Sequence, residues 1–88
     1  MPYIKKEDRE KFDSLVEELS GLISNPGDLN YVISSLLHRE IVKDGLNYAK
    51  CNELIGVMDC ASKEFYRKVV APYEDTKIML NGDLNFNK

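Results

Sequence analysis

The side chains that could act as nucleophiles or carry protons are one histidine, His38, and two cysteines, Cys51 and Cys60. A hydroxyl nucleophile needs a sharp turn and a base beside it, and no Gly-x-Ser-x-Gly sequence is present. The cysteines flank an apolar stretch, Leu54-Ile55-Gly56-Val57-Met58, which keeps a thiol protonated and unreactive. Two cysteines nine positions apart and one distant histidine match no zinc spacing. On one helix the two thiols would stand ~13 Å apart, too far for a disulfide. They read as free thiols of a reducing compartment. No catalytic residue, metal or cofactor is assigned.

The carboxylates give an alternative. Glu7, Glu10, Asp13 and Glu17 recur at helical spacing, and acids in such an array can hold magnesium. The all-α nucleotide pyrophosphohydrolases use a Glu-x-x-Glu on one helix and a Glu-x-x-Asp on the next. The second half has no counterpart here, because Glu40 and Asp44 are four apart and Glu53 and Asp59 six apart. Lys6, Arg9 and Lys11 are interleaved with the acids, so the array reads first as a solvated charged face.

Anion recognition has no glycine-rich loop behind it. What remains is a set of basic and aromatic residues at element ends. An N-terminal arm and a Pro72 turn folded over the helix ends would bring together Arg67, Tyr73, Tyr3 and Arg39. These combine planar donors with aromatic faces suited to a small anionic ligand such as a nucleotide. The plainer account has Arg67 and Lys68 complementing a helix C-terminus, with Glu64 pairing Lys68 four residues on.

Three amphipathic helices position these groups, which makes the fold class all-α: a three-helix bundle with a long third helix. The first spans about 7–24, with Phe12, Leu15, Val16, Leu19, Leu22 and Ile23 on one face. Asn25-Pro26-Gly27 reads as its stop. The second spans about 29–43, with Asp28 or Asn30 as its N-cap. The third opens at Asn47 and runs to Val70, where Pro72 ends regular bonding. Its apolar face is wide: Ile55, Val57 and Cys60 lie beside the stripe of Leu54, Met58, Ala61, Phe65 and Val69. Two shorter helices do not cover so wide a face. A homo-oligomer is therefore expected, a dimer packing near Gly56, with Ile55, Val57 and Cys60 at the interface. The tail, 72–88, suits a short helix ending at Gly82. It also suits a hairpin that faces Ile78 and Leu80 with Phe86 and Leu84. Gly-Asp/Leu-Asn motifs at Gly27, Gly45 and Gly82 read as element ends and caps rather than a solenoid repeat.

Composition bounds the rest. The chain has 88 residues, 43% apolar and 31% charged, with net charge −3. That is a single globular domain, 1–88, too small for a large core. The acid surplus disfavours duplex nucleic acid, whose phosphates demand basic surface. No apolar run reaches the ~20 residues of a bilayer span, and no signal-peptide core is visible. A cytoplasmic location is expected.

The opening Met1-Pro2-Tyr3-Ile4, the segment Gly27-Asp28-Leu29-Asn30-Tyr31, and Tyr66 to Glu74 followed by Asn81-Gly82-Asp83 carry a resemblance. Together they resemble a family of short uncharacterised proteins from bacteriophages and bacterial genomes. The resemblance implies a phage or prophage setting and no particular activity. The function expected is a non-enzymatic helical binding module, an accessory protein acting on a host protein or a small anionic ligand. The alternative is the magnesium-dependent nucleotide pyrophosphohydrolase.

Overall fold

In a computed structural model, which describes residues 3–85, the chain runs through helices α1 (Lys6–Leu22), α2 (Pro26–Asp44), α3 (Tyr48–Phe65) and α4 (Ala71–Asn81). A single π-helical turn, Tyr66–Val70, joins α3 to α4 without a break, so the two form one long third helix. There is no strand among the described residues. The all-α, three-helix architecture with a long last helix is as the sequence leads one to expect.

The boundaries need correction at Pro26 and at Pro72. Asn25-Pro26-Gly27 starts a helix rather than only stopping one. Asn25, not Asp28 or Asn30, is the N-cap of α2, its side chain accepting from the Asp28 N–H at 2.8 Å. Pro26 fills the first helical position, where its missing N–H is no loss. Asp28 then reaches back, accepting from the Ser24 N–H and the Ser24 hydroxyl, both at 3.0 Å. The α1–α2 elbow is thus clasped from both sides, a reciprocal capping arrangement. Only Ile23, Ser24 and Asn25 lie between the helices.

Pro72 does not end the third helix either. Ahead of it the Ala71 N–H bonds back to the Tyr66 carbonyl, five residues away. That wider turn relieves the clash a proline ring makes with the carbonyl four residues earlier, and Pro72 then occupies the first turn of α4. The tail is therefore a helix as far as Asn81. The hairpin is excluded for Ile78 to Leu80, and its partner Phe86 lies outside the described residues.

Gly45 and Gly82 close α2 and α4 with φ 87° and 85° and extended ψ, a region essentially reserved for glycine. Asn47 caps α3 by accepting from the Lys50 N–H at 2.8 Å. The Gly-then-cap reading holds at Gly45–Asn47 and Gly82. Gly27, by contrast, sits inside the first turn of α2.

The bundle is open. Helix backbones approach closely between α2 and α3 and along the joined third helix, whereas α1 approaches no other helix. No described side chain is buried. The radius of gyration is 17.6 Å, against ~12 Å for a compact chain of this length. What fastens α2 to α3 is electrostatic as well as apolar. Lys50, only 13% exposed, reaches Asp44 at 2.6 Å and Glu40 at 3.5 Å, across the turn from the end of α2. The Asp44 contact, above all, raises the Lys50 pKa, and the same contact lowers that of Asp44.

Candidate functional site

The candidate ligand residues divide between two places. At the π turn of the third helix, the Arg67 guanidinium donates to the Glu64 carboxylate three residues earlier. This bond lowers the Glu64 pKa and raises that of Arg67. The nearby Tyr3 hydroxyl of the N-terminal arm lowers the pKa of the same carboxylate further. The arm is itself held by Arg9, whose Nε donates to the Ile4 carbonyl at 2.9 Å. Tyr3 and Arg67 are thus brought together as the sequence reading asks. They meet through Glu64, which that reading had assigned to Lys68. The i, i+3 spacing of Glu64 and Arg67 is the signal that was available.

Tyr73 stands on the first turn of α4, with the Lys77 ammonium 5.5 Å from its ring centroid. Across the π turn, the Tyr66 phenol donates to the Glu74 carboxylate, and this bond raises the Tyr66 pKa. Arg39 sits elsewhere. It stands on α2 in the wall of a groove of about 420 Å³ shared with Ile33, Leu36, Val57 and Met58.

A second groove lies between α2 and α3. Leu37, Ile41 and Leu46 form one wall and Cys51, Leu54 and Ile55 the other, with Met58 at its end and His38 at the rim, enclosing about 220 Å³. It is almost wholly apolar. The sequence supplies each stripe but not their pairing, so the groove itself could not be read from it.

The candidate interface residues all lie on α3. Ile55 is 71% exposed and Val57 61%, and Gly56 and Cys60 are also exposed. A Cβ added at Gly56 would meet no atom within 4 Å. Cys51 and Cys60 are free thiols, both on α3.

The acids of α1 — Glu7, Glu10, Asp13 and Glu17 — are exposed along its length. Among the described residues no three His, Cys, Asp or Glu side chains converge as a metal-holding group. The Lys11 ammonium, interleaved with them, lies 5.0 Å over the Phe12 ring. No helix among the described residues is long and apolar enough to cross a membrane.

The model of one protein family matches residues 1–84, and the chain belongs to that family, described as Domain of unknown function (DUF6899). No curated protein and no solved structure matches the chain.

Proposed function

We propose that the chain is a non-enzymatic helical binding module, an accessory protein of phage or prophage origin that works in the host cytoplasm by engaging a protein. The observation that carries this reading is the exposure of its apolar residues. Every helix presents large apolar side chains to solvent, among them Leu15, Leu36, Ile55 and Leu80. Contiguous apolar surface on so small a chain is a mark of interaction surface.

The cluster of Tyr3, Glu64 and Arg67 at the π turn, with Tyr73 further along the chain, is the polar counterpart of that surface. Arg67 already pairs with Glu64, and a small anion would have to approach past that carboxylate. A protein surface carrying both charge signs suits the cluster better than a nucleotide does.

Turnover tests the reading. The full chain, incubated with nucleoside triphosphates and magnesium, should leave them intact. Hydrolysis that Glu10→Gln and Asp13→Asn abolish would replace the binding module with the pyrophosphohydrolase. A nucleotide that raises the melting temperature in wild type but not in Arg67→Ala would replace the protein partner with a small anion.

A further inference from the structure

We propose that the apolar groove between α2 and α3 is filled by helix α1 of a second copy of this chain. The proposal rests on reading the exposed apolar faces as binding surfaces, and it names the occupant of one of them.

The first argument is area. A folded monomer of this mass exposes roughly 5,300 Å², whereas the chain exposes 8103 Å². The surplus of about 2,800 Å² per chain exceeds the ~800 Å² that each partner buries in a standard stable interface, and falls in the range of obligate assemblies. A single small ligand does not consume that much surface. A second chain of the same kind does, and at the same stoichiometry for every copy.

The second argument is an apolar face without a cover. Helix α1 carries Phe12, Leu15, Val16 and Leu19 on one stripe, and its backbone approaches no other helix. Leu15 is 62% exposed. An amphipathic helix of 17 residues with most of its apolar side open to water has little reason to stay helical, since packing supplies most of a helix's stability. The groove offers the complementary surface: two apolar walls with a space between them and no third helix in it.

The third argument decides between a helix's own chain and its neighbour. The groove begins at Leu37 and ends at Leu46. At 1.5 Å per residue those points lie ~16 Å and ~30 Å along from Pro26, the first residue of α2. If α1 folded back along α2 of its own chain, its apolar stripe from Leu22 to Phe12 would extend only ~15 Å from the elbow. The stripe would reach only the near end of the groove, beside Leu37 and Met58, and leave most of its length unfilled. The elbow cannot make up the difference, because its three residues must also cross the 8–10 Å between packed helices. A helix arriving from another chain has no such tether. When two chains each donate α1 to the other's groove, the exchange closes on itself about a two-fold axis and leaves no groove empty.

Cysteine cross-linking tests this with the full chain. Cys51 lines the groove and Leu15 lies mid-stripe on α1. One variant carries Leu15→Cys with Cys51→Ser and Cys60→Ser; the other carries Cys60→Ser alone and keeps Cys51. Mixed, unfolded, refolded together and mildly oxidised, they should give a disulfide-linked species of twice 10.1 kDa. Peptide mass spectrometry should place its bridge between position 15 of one variant and Cys51 of the other. Sedimentation equilibrium of the wild-type chain should return at least twice the chain mass. A folded 10.1 kDa monomer at micromolar concentration would overturn the proposal, as would an oligomer in which position 15 and Cys51 never link. So would a chain bearing Leu15→Cys and Cys60→Ser that closes the bridge within itself, losing two thiols with no gain in mass. Magnesium-dependent turnover would overturn the binding-module reading instead, and would leave these masses and bridges unchanged.

Discussion

The Tyr66 phenol donates its hydrogen bond to the carboxylate of Glu74, eight residues further along and on the far side of Pro72. In an unbroken α-helix two full turns take about 7.2 residues. The π turn between them lengthens one turn by about one residue, so residues eight apart return to one face. The hydrogen bond and the π turn therefore support each other, and both depend on the proline being accommodated.

This bond has a pH signature. The Glu74 carboxylate accepts from the neutral phenol and repels the phenolate, which raises the Tyr66 pKa. A raised folded-state pKa stabilises below the ordinary tyrosine value near 10 and is lost as pH rises through the higher folded value. Absorbance titration of phenolate should show one of the 5 tyrosines ionising above the rest. Tyr66→Phe should remove that late component and leave the others in place. Five indistinguishable tyrosines would mean the bond is absent in solution.

The α2 cap can be probed from both of its sides. Asn25→Ala should lower stability by about 1 kcal/mol, the usual cost of an N-cap, while Asn30→Ala should change little. The Asp28 pKa is lowered, chiefly by the Ser24 N–H. A lowered pKa contributes stability above the ordinary carboxylate range, and the contribution is lost as pH falls through the folded value. Urea denaturation across the acid range should be flatter for Asp28→Asn than for wild type.

Two glycines should respond in opposite directions. Gly45→Ala forces a side chain into φ 87°, at a cost of about 1–3 kcal/mol. Gly56→Ala places a methyl in open space inside a helix and should gain roughly 1 kcal/mol. A loss at Gly56 in thermal unfolding would instead put another backbone against it, as a dimer packed through α3 at that residue requires.

Lys50→Met should lower the melting temperature, because it strips Asp44 of its cation at the α2–α3 turn, while Glu40 keeps only Lys43. Lys50 is mostly enclosed, so 1 M salt should erase only part of the difference. Complete erasure would reduce the contact to an ordinary surface pair.

The thiols should differ in rate. Cys60 is exposed and should react promptly with a thiol reagent in the native protein. Cys51, half-buried in the groove wall, should react more slowly and approach the Cys60 rate only on denaturation. Equal native rates would mean that nothing lies over the groove.

The helices were legible because each carries a long apolar stripe at helical spacing, and residues such as Leu15, Leu37 and Leu54 mark those stripes without ambiguity. The prolines misled because a proline after asparagine signals a turn and a helix start in the same letters. Asn25-Pro26 is both the end of one element and the cap of the next. Pro72 was misread because a π turn has no local signature, and without one the ring would have broken the helix. Within the candidate site, residue type and position at element ends single out Tyr3 and Arg67, which lie close to one carboxylate. Arg39 met the same criteria yet lies elsewhere, in the groove it shares with Ile33, Leu36, Val57 and Met58, since type alone carries no information about which faces pair. Leu37 and Ile41 lie at helical spacing on α2, and Leu46 follows in the turn beyond it. Their role as a groove wall exists only once α3 is laid against α2.

The clasp of Asp28 on Ser24 makes α1 a lever rather than a tethered rod. Seventeen residues at 1.5 Å each give an arm of ~25 Å, pivoting where Ile23 meets Ser24. Tyr3 lies just beyond its far end, against Glu64. A swing of only ~10° at the pivot displaces that end by ~4 Å on this length, more than a hydrogen bond can stretch. The angle held by the Ser24–Asp28 clasp thus bears, from one helix length away, on how near the tyrosine comes to the carboxylate.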